Sequence, residues 1–89
     1  MAQAYKLRYK KSVDKDLRKL PTATRKQIIK IVLALSLNAH PSASTKLRGS
    51  IDLYRLRHGD YRIIYQIDEG ELLILVIKVG HRKEVYRDF

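Results

Sequence analysis

Three arginines fall at spacings that two neighbouring strands would bring to one face of a sheet. Arg55 and Arg57 are two residues apart, and Arg62 follows a Gly59-Asp60 pair that is typical of a tight turn. Side chains two residues apart in a strand point to the same side, so this hairpin would gather three guanidinium groups. Guanidinium groups bind phosphate through paired hydrogen bonds, and the pattern therefore predicts an outward-facing phosphate site. The alternative is a solvated sheet face on which arginine protects against edge pairing.

The last ten residues carry a second group of cations around an aromatic ring. This group consists of His81, Arg82, Lys83, Tyr86 and Arg87. Because the cations pair with phosphates and an unstacked base can lie on the ring, this mixture suits RNA. The alternative is a basic segment from which Val85 and Phe89 pack back into the core. The candidate RNA-binding residues are Lys46, Arg48, His81 and Lys83.

The composition describes a small basic domain. The chain has 89 residues, with 19 Lys and Arg against nine Asp and Glu and a formal net charge of +10. This length predicts one domain over residues 1–89, and the sign of the charge excludes acidic calcium-binding modules. A strongly positive domain favours a polyanionic partner, most commonly nucleic acid. The absence of cysteine excludes disulfides and thiolate sites and suits a reducing cytoplasm, where we expect the protein to act.

The residue spacing does not indicate a metal site, a hydrolytic carboxylate pair or a membrane segment. His40, His58 and His81 have no metal-ligand spacing, so we expect no metal site and no cofactor. The acidic residues lie mostly in predicted turns and first helical turns, which argues against a carboxylate pair for hydrolysis. The longest apolar runs, residues 31–37 and 72–77, are far shorter than the roughly 20 residues that span a bilayer, so no membrane contact is expected.

The first half of the chain predicts one strand followed by a short helix. Residues 4–10 alternate apolar and cationic side chains, which is typical of a half-buried strand. Ser12 is predicted to cap the first helix, with Asp14 and Asp16 in its first turn, where the helix dipole favours carboxylates. Pro21 is predicted to end that helix.

A second and longer helix is predicted to begin at a capping box formed by Thr24 and Gln27. It is apolar on more than one side after Ile31, and residues 31–45 contain no charged side chain. We therefore expect this helix to be well buried. Residues 38–44 end it and form the longest predicted loop.

The second half predicts a meander of three strands. The strand-like segments are residues 52–58, 61–68 and 71–79, joined by two-residue turns at Gly59-Asp60 and Glu69-Gly70. The third strand is the most apolar, so we expect it inside the sheet, with the first strand of the chain added at an edge.

The predicted fold class is α+β. Its element order is β-α-α-β-β-β, with an antiparallel sheet of about four strands and a helical hairpin packed on one face. In this arrangement Tyr54 and Leu56 would face the helices, while Arg55 and Arg57 would face outward.

Three motifs then point to a family. They occur in the order Lys46-Leu-Arg-Gly49, Tyr61-Arg-Ile-Ile-Tyr65 and Val79-Gly-His-Arg82, the last followed by Tyr86. With the chain length and the basic charge, they resemble the RelE family of bacterial and archaeal toxins, within the RelE/ParE superfamily. The resemblance spans essentially the whole chain. Members of this family are the toxin halves of type II toxin–antitoxin pairs.

The resemblance implies a ribosome-dependent mRNA interferase. Such an enzyme enters the ribosomal A site, beside the 16S rRNA, and cleaves the mRNA codon exposed there without a metal. The ribose 2′-hydroxyl attacks the adjacent phosphate, leaving a 2′,3′-cyclic phosphate and a 5′-hydroxyl. The resemblance also implies a RelB-like antitoxin that wraps the basic surface of the toxin. Residues 1–30 are the expected binding surface for this antitoxin.

The resemblance further implies roles for single residues. Arg55 and Arg57 take the places of two strand lysines in well-known members. Arg62 would stabilise the pentavalent phosphorane, and Arg82 would stabilise or protonate the leaving 5′-oxygen. Tyr86 would stack on or orient the nucleotide. Because arginine stays protonated, Arg55 and Arg57 are expected to stabilise the phosphate rather than to act as bases.

None of these residues is assigned as the general base that removes the proton of the 2′-hydroxyl. His81 lies beside Arg82, and an imidazole can take up a proton near neutral pH, so His81 is one hypothesis for this role. Two other functions stay open as well. One is a ParE-like toxin that poisons DNA gyrase, and the other is a non-catalytic module that binds RNA or the ribosome. The presence of Arg62, Arg82 and Tyr86 favours the ribonuclease.

Overall fold

Five strands and three helices occur within residues 4–85, the part of the chain that the computed structural model describes. They are β1 (Lys6–Tyr9), α1 (Lys11–Arg18), α2 (Thr22–Leu35), β2 (Ser44–Lys46), β3 (Leu53–His58), β4 (Tyr61–Asp68), β5 (Leu73–His81) and α3 (Arg82–Val85). The predicted α+β class is confirmed, and the predicted element order is present with β2 and α3 added to it. No helix within this part of the chain is long and apolar enough to cross a membrane.

The strands form one sheet in the order β1-β5-β4-β3-β2. Neighbouring strands from β2 to β5 are antiparallel, but β1 runs parallel to β5, with Lys6 beside Leu73 and Tyr9 beside Val76. The prediction of an antiparallel sheet of about four strands is therefore wrong in strand count and in the direction of β1. Alternating side chains predict which face a strand buries, but they carry no information about its direction when no tight turn joins it to its neighbour.

The two turns of the meander differ from each other. His58 pairs with Tyr61, so Gly59 and Asp60 form the predicted two-residue turn, and Gly59 adopts a left-handed φ of 57°. In the second hairpin the last pair is Asp68 with Leu73, so four residues connect the strands and the predicted two-residue turn is wrong. The wider turn is stabilised by the Asp68 Oδ1 atom, which accepts a hydrogen bond of 3.0 Å from the backbone N–H of residue 71.

One face of the sheet forms the core with α1 and α2. The buried residues of this cluster are Val13, Leu20, Ile28, Val32, Leu35, Ala39, Leu56, Ile63, Tyr65, Ile67, Ile74, Val76 and Val79. Leu56 is buried and Tyr54 packs against the cluster, as the alternation in β3 predicts. The Tyr65 hydroxyl donates a hydrogen bond of 3.0 Å to the carbonyl of Ala39, which satisfies the one polar atom that this ring carries into the core.

Both helices begin earlier than predicted. The N-cap of α1 is Lys10 and that of α2 is Pro21, and neither makes a side-chain capping bond. Ser12 and Thr24 therefore lie inside the helices, and both predicted caps are wrong. At α2, Pro21 has no N–H to leave unsatisfied before the helix, and its carbonyl accepts the first hydrogen bond, of 2.9 Å, from the N–H of Arg25.

Helix α2 buries one face only. Ile28, Val32 and Leu35 are buried, whereas Ile29 and Leu33 are exposed. The expectation that this helix is well buried on more than one side is therefore wrong. Its lack of charged residues after residue 30 is compatible with exposure because half or more of a protein surface is apolar.

Candidate active site

The register of the β3–β4 hairpin places the three strand arginines on the same face. Arg57 pairs directly with Arg62, and Arg55 pairs with Ile64. Leu56, between the two β3 arginines, is buried in the core on the opposite face. The arginines therefore lie on the face of the sheet that α1 and α2 leave uncovered, as the sequence pattern predicts.

Arg62 is nevertheless not an outward-facing side chain. It is only 7% exposed, and its Nη1 atom donates hydrogen bonds of 2.8 Å to the carbonyls of Gly59 and Tyr61. The expectation of an open cationic face is therefore wrong at this position. The guanidinium is tied to the β3–β4 turn, and these bonds fix its orientation.

A short helix covers part of the arginine face. Gly80 pairs with Arg62 across β4 and β5, and a Cβ atom on Gly80 would lie 3.2 Å from Cγ2 of Val85 in α3. Val85 and Ile64 are both fully buried, although neither belongs to the core cluster under the helical hairpin. The predicted burial of Val85 is confirmed, but on the arginine face and not in the core under the helical hairpin. Tyr86, Arg87 and Phe89 lie outside the described residues.

Arg82 reaches the same turn as Arg62 through its backbone and its side chain. Its N–H donates a hydrogen bond of 2.7 Å to the carbonyl of Asp60, and its Nε atom lies 3.8 Å from Oδ1 of Asp60. The two side chains are 55% and 66% exposed, so this ion pair contributes at most about 1 kcal/mol. Arg82 can therefore exchange the Asp60 carboxylate for a phosphate at small cost.

His81 lies on the other side of the sheet from Arg62. It pairs with Tyr61, whose ring packs against the core cluster, and the two rings meet edge to face with centroids 5.8 Å apart. The Nδ1 atom of His81 accepts a hydrogen bond of 3.2 Å from the N–H of Lys83. This placement separates the imidazole from the arginine face, and it argues against His81 as the base.

The remaining candidate RNA-binding residues are dispersed. Lys46 pairs with Tyr54, so the register places it on the face of the helical hairpin and apart from the arginines. Arg48 is exposed in the loop that follows β2, and Lys83 is exposed in α3 beside Arg82. Only Lys83 therefore adds charge close to the β3–β4 turn.

Two carboxylates make contacts that the sequence does not predict. Asp60 lies in the predicted turn and forms an ion pair with Arg82. Asp16 is predicted in the first turn of the first helix, but α1 begins at Lys11, and Asp16 is a buried carboxylate of the second turn that contacts the end of β5. Its position three residues after Val13 and four before Leu20 puts it on the apolar face of α1, which is the signal that could have revealed it.

The sequence of this chain matches a known family over most of its length. The family described as "ParE toxin of type II toxin-antitoxin system, parDE" matches residues 7–86. The chain belongs to the RelE/ParE toxin family. The mRNA interferase toxin RelE of Escherichia coli is 35% identical to this toxin over 89 residues, which cover 96% of this chain and 93% of the relative. The resemblance inferred from the three motifs is thereby confirmed.

Solved structures of family members share the fold of this toxin. A chain of the archaeal RelE-RelB complex from Pyrococcus horikoshii superposes with a TM-score of 0.81 at 31% identity, over 92% of this chain and 99% of that chain. The isolated Escherichia coli RelE toxin superposes with a TM-score of 0.77 at 32% identity, over 96% and 94% of the two chains. The overall fold of this chain is therefore shared with these family members.

Proposed function

We propose that this toxin is a ribosome-dependent mRNA interferase, an endoribonuclease that stops translation by cleaving mRNA in the ribosomal A site. The observation that supports this most strongly is the attachment of Arg62 and Arg82 to one hairpin turn, through the carbonyls of residues 59–61. Arg62 is held there through its guanidinium and Arg82 through its backbone N–H, so both side chains start from one turn. Two cations that start from one turn can meet the charge that develops on a reacting phosphate. The relative in Escherichia coli is itself named an mRNA interferase.

The proposed reaction is a phosphoryl transfer within the RNA. The ribose 2′-oxygen forms a bond to the adjacent phosphorus while the bond from phosphorus to the 5′-oxygen breaks. The 2′-hydroxyl loses its proton and the 5′-oxygen gains one, so the products are a 2′,3′-cyclic phosphate and a 5′-hydroxyl. The step needs charge stabilisation at the phosphate and at the leaving oxygen, and arginines can supply both without a metal.

The hydrogen bonds of Arg62 prepare it for the phosphorane. A guanidinium has five N–H donors, and Nη1 uses two of them on the carbonyls of Gly59 and Tyr61. The other two nitrogens carry three further donors in a fixed plane. A cation oriented before the reaction loses little entropy in the transition state, which is the source of its catalytic effect.

Arg55 and Arg57 extend the positive charge along β3 beyond the turn. We assign them to the phosphates of the bound mRNA, and Arg82 to the leaving 5′-oxygen. Tyr86 is assigned to stacking on or orienting the nucleotide. Because the arginines stay protonated and His81 lies on the opposite face, the 2′-hydroxyl proton passes to a group outside this cluster.

We also propose that a RelB-like antitoxin neutralises the toxin. The archaeal structural relative was crystallised as a RelE-RelB complex. The formal net charge of +10 on this chain favours an acidic segment, and residues 1–30 carry much of the positive charge. A partner segment that folds as it wraps this surface could be removed by proteolysis of its unbound state.

Primer extension on a translating mRNA tests the proposed function. The wild-type toxin should create 5′ ends at A-site codons, and Arg82→Ala should abolish them. Arg18→Ala is the matched control, because Arg18 is an exposed arginine of α1, remote in sequence from the β3–β4 turn. Absence of A-site cleavage by the wild-type protein would overturn the proposal.

A gyrase poison is the second candidate, because the matching family description names the ParE toxin. A DNA supercoiling assay with gyrase, run beside the ribosome assay, separates the two functions. Inhibition of supercoiling without mRNA cleavage would support the ParE-like activity. Retention of ribosome binding by a wild-type protein that cleaves no RNA would support a non-catalytic binding module instead.

A further inference from the structure

Asp16 is a buried carboxylate that binds a backbone N–H and does not lie on the arginine face. It lies in α1 and is 9% exposed. Its Oδ2 atom accepts a hydrogen bond of 3.1 Å from the N–H of Val79, and its Oδ1 atom lies 3.6 Å from Nζ of Lys78. Both carboxylate oxygens are thus engaged with the last part of β5.

The reason for this contact lies in the length of β1. The parallel pairing of β1 with β5 ends at Tyr9 and Val76, and the N–H of Lys10 makes a last bond of 2.9 Å to the carbonyl of Val76. Strand β5 continues to residue 81, but β1 has already turned into α1. Asp16 therefore accepts the hydrogen bond from the N–H of Val79 at a position where β1 no longer lies beside β5.

The carboxylate lies at the margin of the contact between α1 and β5. Val13 and Leu20 pack with Val79 in the core cluster, and beside them lies a cleft of about 330 Å³ whose lining includes Asp16, Lys78, Val79 and Gly80. Asp16 thus adds a directional hydrogen bond to the apolar contacts that hold this end of β5. A buried N–H without a partner is costly, so the bond to Val79 is a strong constraint on the strand.

The residues that follow Val79 carry the candidate active site. Gly80 pairs with Arg62, and Arg82 binds the carbonyl of Asp60. We propose that Asp16 is a positioning residue for the cleavage reaction, which fixes the end of β5 so that Arg82 meets the β3–β4 turn beside Arg62. This inference rests on the proposed function and adds to it a residue that touches neither the RNA nor the reacting atoms.

The test compares Asp16→Ala and Asp16→Asn with a control in the same helix. Asn keeps an oxygen acceptor for the N–H of Val79 but not the charge beside Lys78. Asp14→Ala removes an exposed carboxylate from the first turn of α1 and should behave as the wild type. Each protein is assayed for kcat and KM on programmed ribosomes and for amide hydrogen exchange at residues 79–82.

Asp16→Ala should lower kcat by about 10- to 100-fold with KM unchanged, because a small displacement of a catalytic group is costly while the docking surface is intact. Asp16→Asn should recover most of this loss. Exchange at Val79 should accelerate in the alanine variant only. If Asp16→Ala does not fold, Asp16→Ser takes its place, since its shorter side chain does not reach Val79.

Two failures are distinguishable. If the wild type cleaves mRNA while folded Asp16→Ala keeps the wild-type kcat, the positioning role is refuted. If KM rises in parallel with the loss of kcat, or if the asparagine variant recovers nothing, Asp16 is not acting through Val79 and the inference fails as well. If the wild type itself cleaves no mRNA, the proposed function fails, and the positioning role in cleavage fails with it. This holds even if amide hydrogen exchange at Val79 changes in the Asp16 variants.

Discussion

Arg57 and Arg62 lie directly opposite each other across the β3–β4 hairpin. Like charges at such a position destabilise a sheet, so this pair is a cost to the folded protein. The bonds from Arg62 to the carbonyls of Gly59 and Tyr61 offset part of that cost. A phosphate bound at the pair would remove the repulsion, which is why the arrangement suits a site for a polyanion better than a structural ion-pair network.

Replacement of Arg62 should damage both activity and stability. Arg62→Ala removes a preorganised cation, and we expect kcat to fall by about 100- to 1,000-fold in the ribosome assay. The same change removes the hydrogen bonds to the carbonyls of Gly59 and Tyr61, and water can replace the donor at the exposed Gly59. The free energy of unfolding should therefore fall by only about 1 kcal/mol in urea titrations. Arg62→Lys should not restore activity, because one ammonium cannot reproduce the planar guanidinium. Full activity of the lysine variant would contradict this geometry.

Arg82 should behave differently from Arg62. Its exposed ion pair with Asp60 contributes at most about 1 kcal/mol, so Arg82→Ala should lose cleavage with a nearly unchanged urea midpoint. Asp60→Asn keeps the backbone carbonyl that binds the N–H of Arg82 and frees only the side chain. This variant should therefore retain cleavage. A loss of activity in Asp60→Asn as large as in Arg82→Ala would show that the carboxylate itself is required.

A side chain at Gly80 would crowd α3. A Cβ atom there would lie 3.2 Å from Cγ2 of Val85, so Val85 would have to shift by a few tenths of an ångström. Because Val85 is fully buried, Gly80→Ala should displace α3 and lower stability by about 1 kcal/mol. Cleavage should fall as well, because Arg82 begins that helix. Gly70→Ala is the matched control, since its nearest neighbour is a flexible Asp68 side-chain oxygen at 3.5 Å. Thermal unfolding of the two variants checks the contrast, and equal midpoints would argue against tight packing at Gly80.

A pH dependence is expected at the opposite end of the sheet. The Tyr5 hydroxyl donates a hydrogen bond of 2.6 Å to Oε2 of Glu69, and this bond, with His40 nearby, holds the pKa of Glu69 below its ordinary value of 4.5. Because the carboxylate form is favoured in the folded state, its stabilisation is complete above pH 4.5 and is lost as the pH falls through the lowered pKa.

Glu69→Gln isolates this contribution. Melting temperatures between pH 7 and pH 3 should fall less steeply for Glu69→Gln than for the wild type, by a small margin because the site is exposed. Tyr5→Phe should flatten the same part of the curve, since the Tyr5 bond is the main cause of the lowered pKa of Glu69. Parallel curves for all three proteins would show that the bond does not form in solution.

The faces of β3 and β4 could be predicted from the sequence because alternation alone determines them. Arg55, Arg57 and Arg62 share a face, and Leu56 is buried on the other, as the pattern indicates. The burial of Arg62 could not be predicted in this way. It depends on the hairpin carbonyls and on α3, which lies on the same face through a contact that only the three-dimensional fold creates.

The direction of β1 and the role of Asp16 share a common cause. Neither depends on local spacing. Strand β1 pairs with β5, which lies near the other end of the sequence, and Asp16 binds Val79 at a sequence separation of 63 residues. Propensity and periodicity describe neighbours within one element, so contacts of this range are outside what they can predict. The wrong cap of α2 has a different origin. Pro21 has no N–H to leave unsatisfied at a helix start, and with Pro21 as the N-cap the helix begins two residues before Thr24.

The pairing of β1 with β5 also orders events during synthesis of the toxin. Residues 6–9 are made early, but their partners are residues 73–76, so this edge of the sheet stays open until most of the chain has left the ribosome. At about 5–20 residues per second, that interval lasts several seconds. Arg82, the first residue of α3, is made later still. The ribosome that translates this toxin therefore completes nearly the whole polypeptide before the active fold can form beside it.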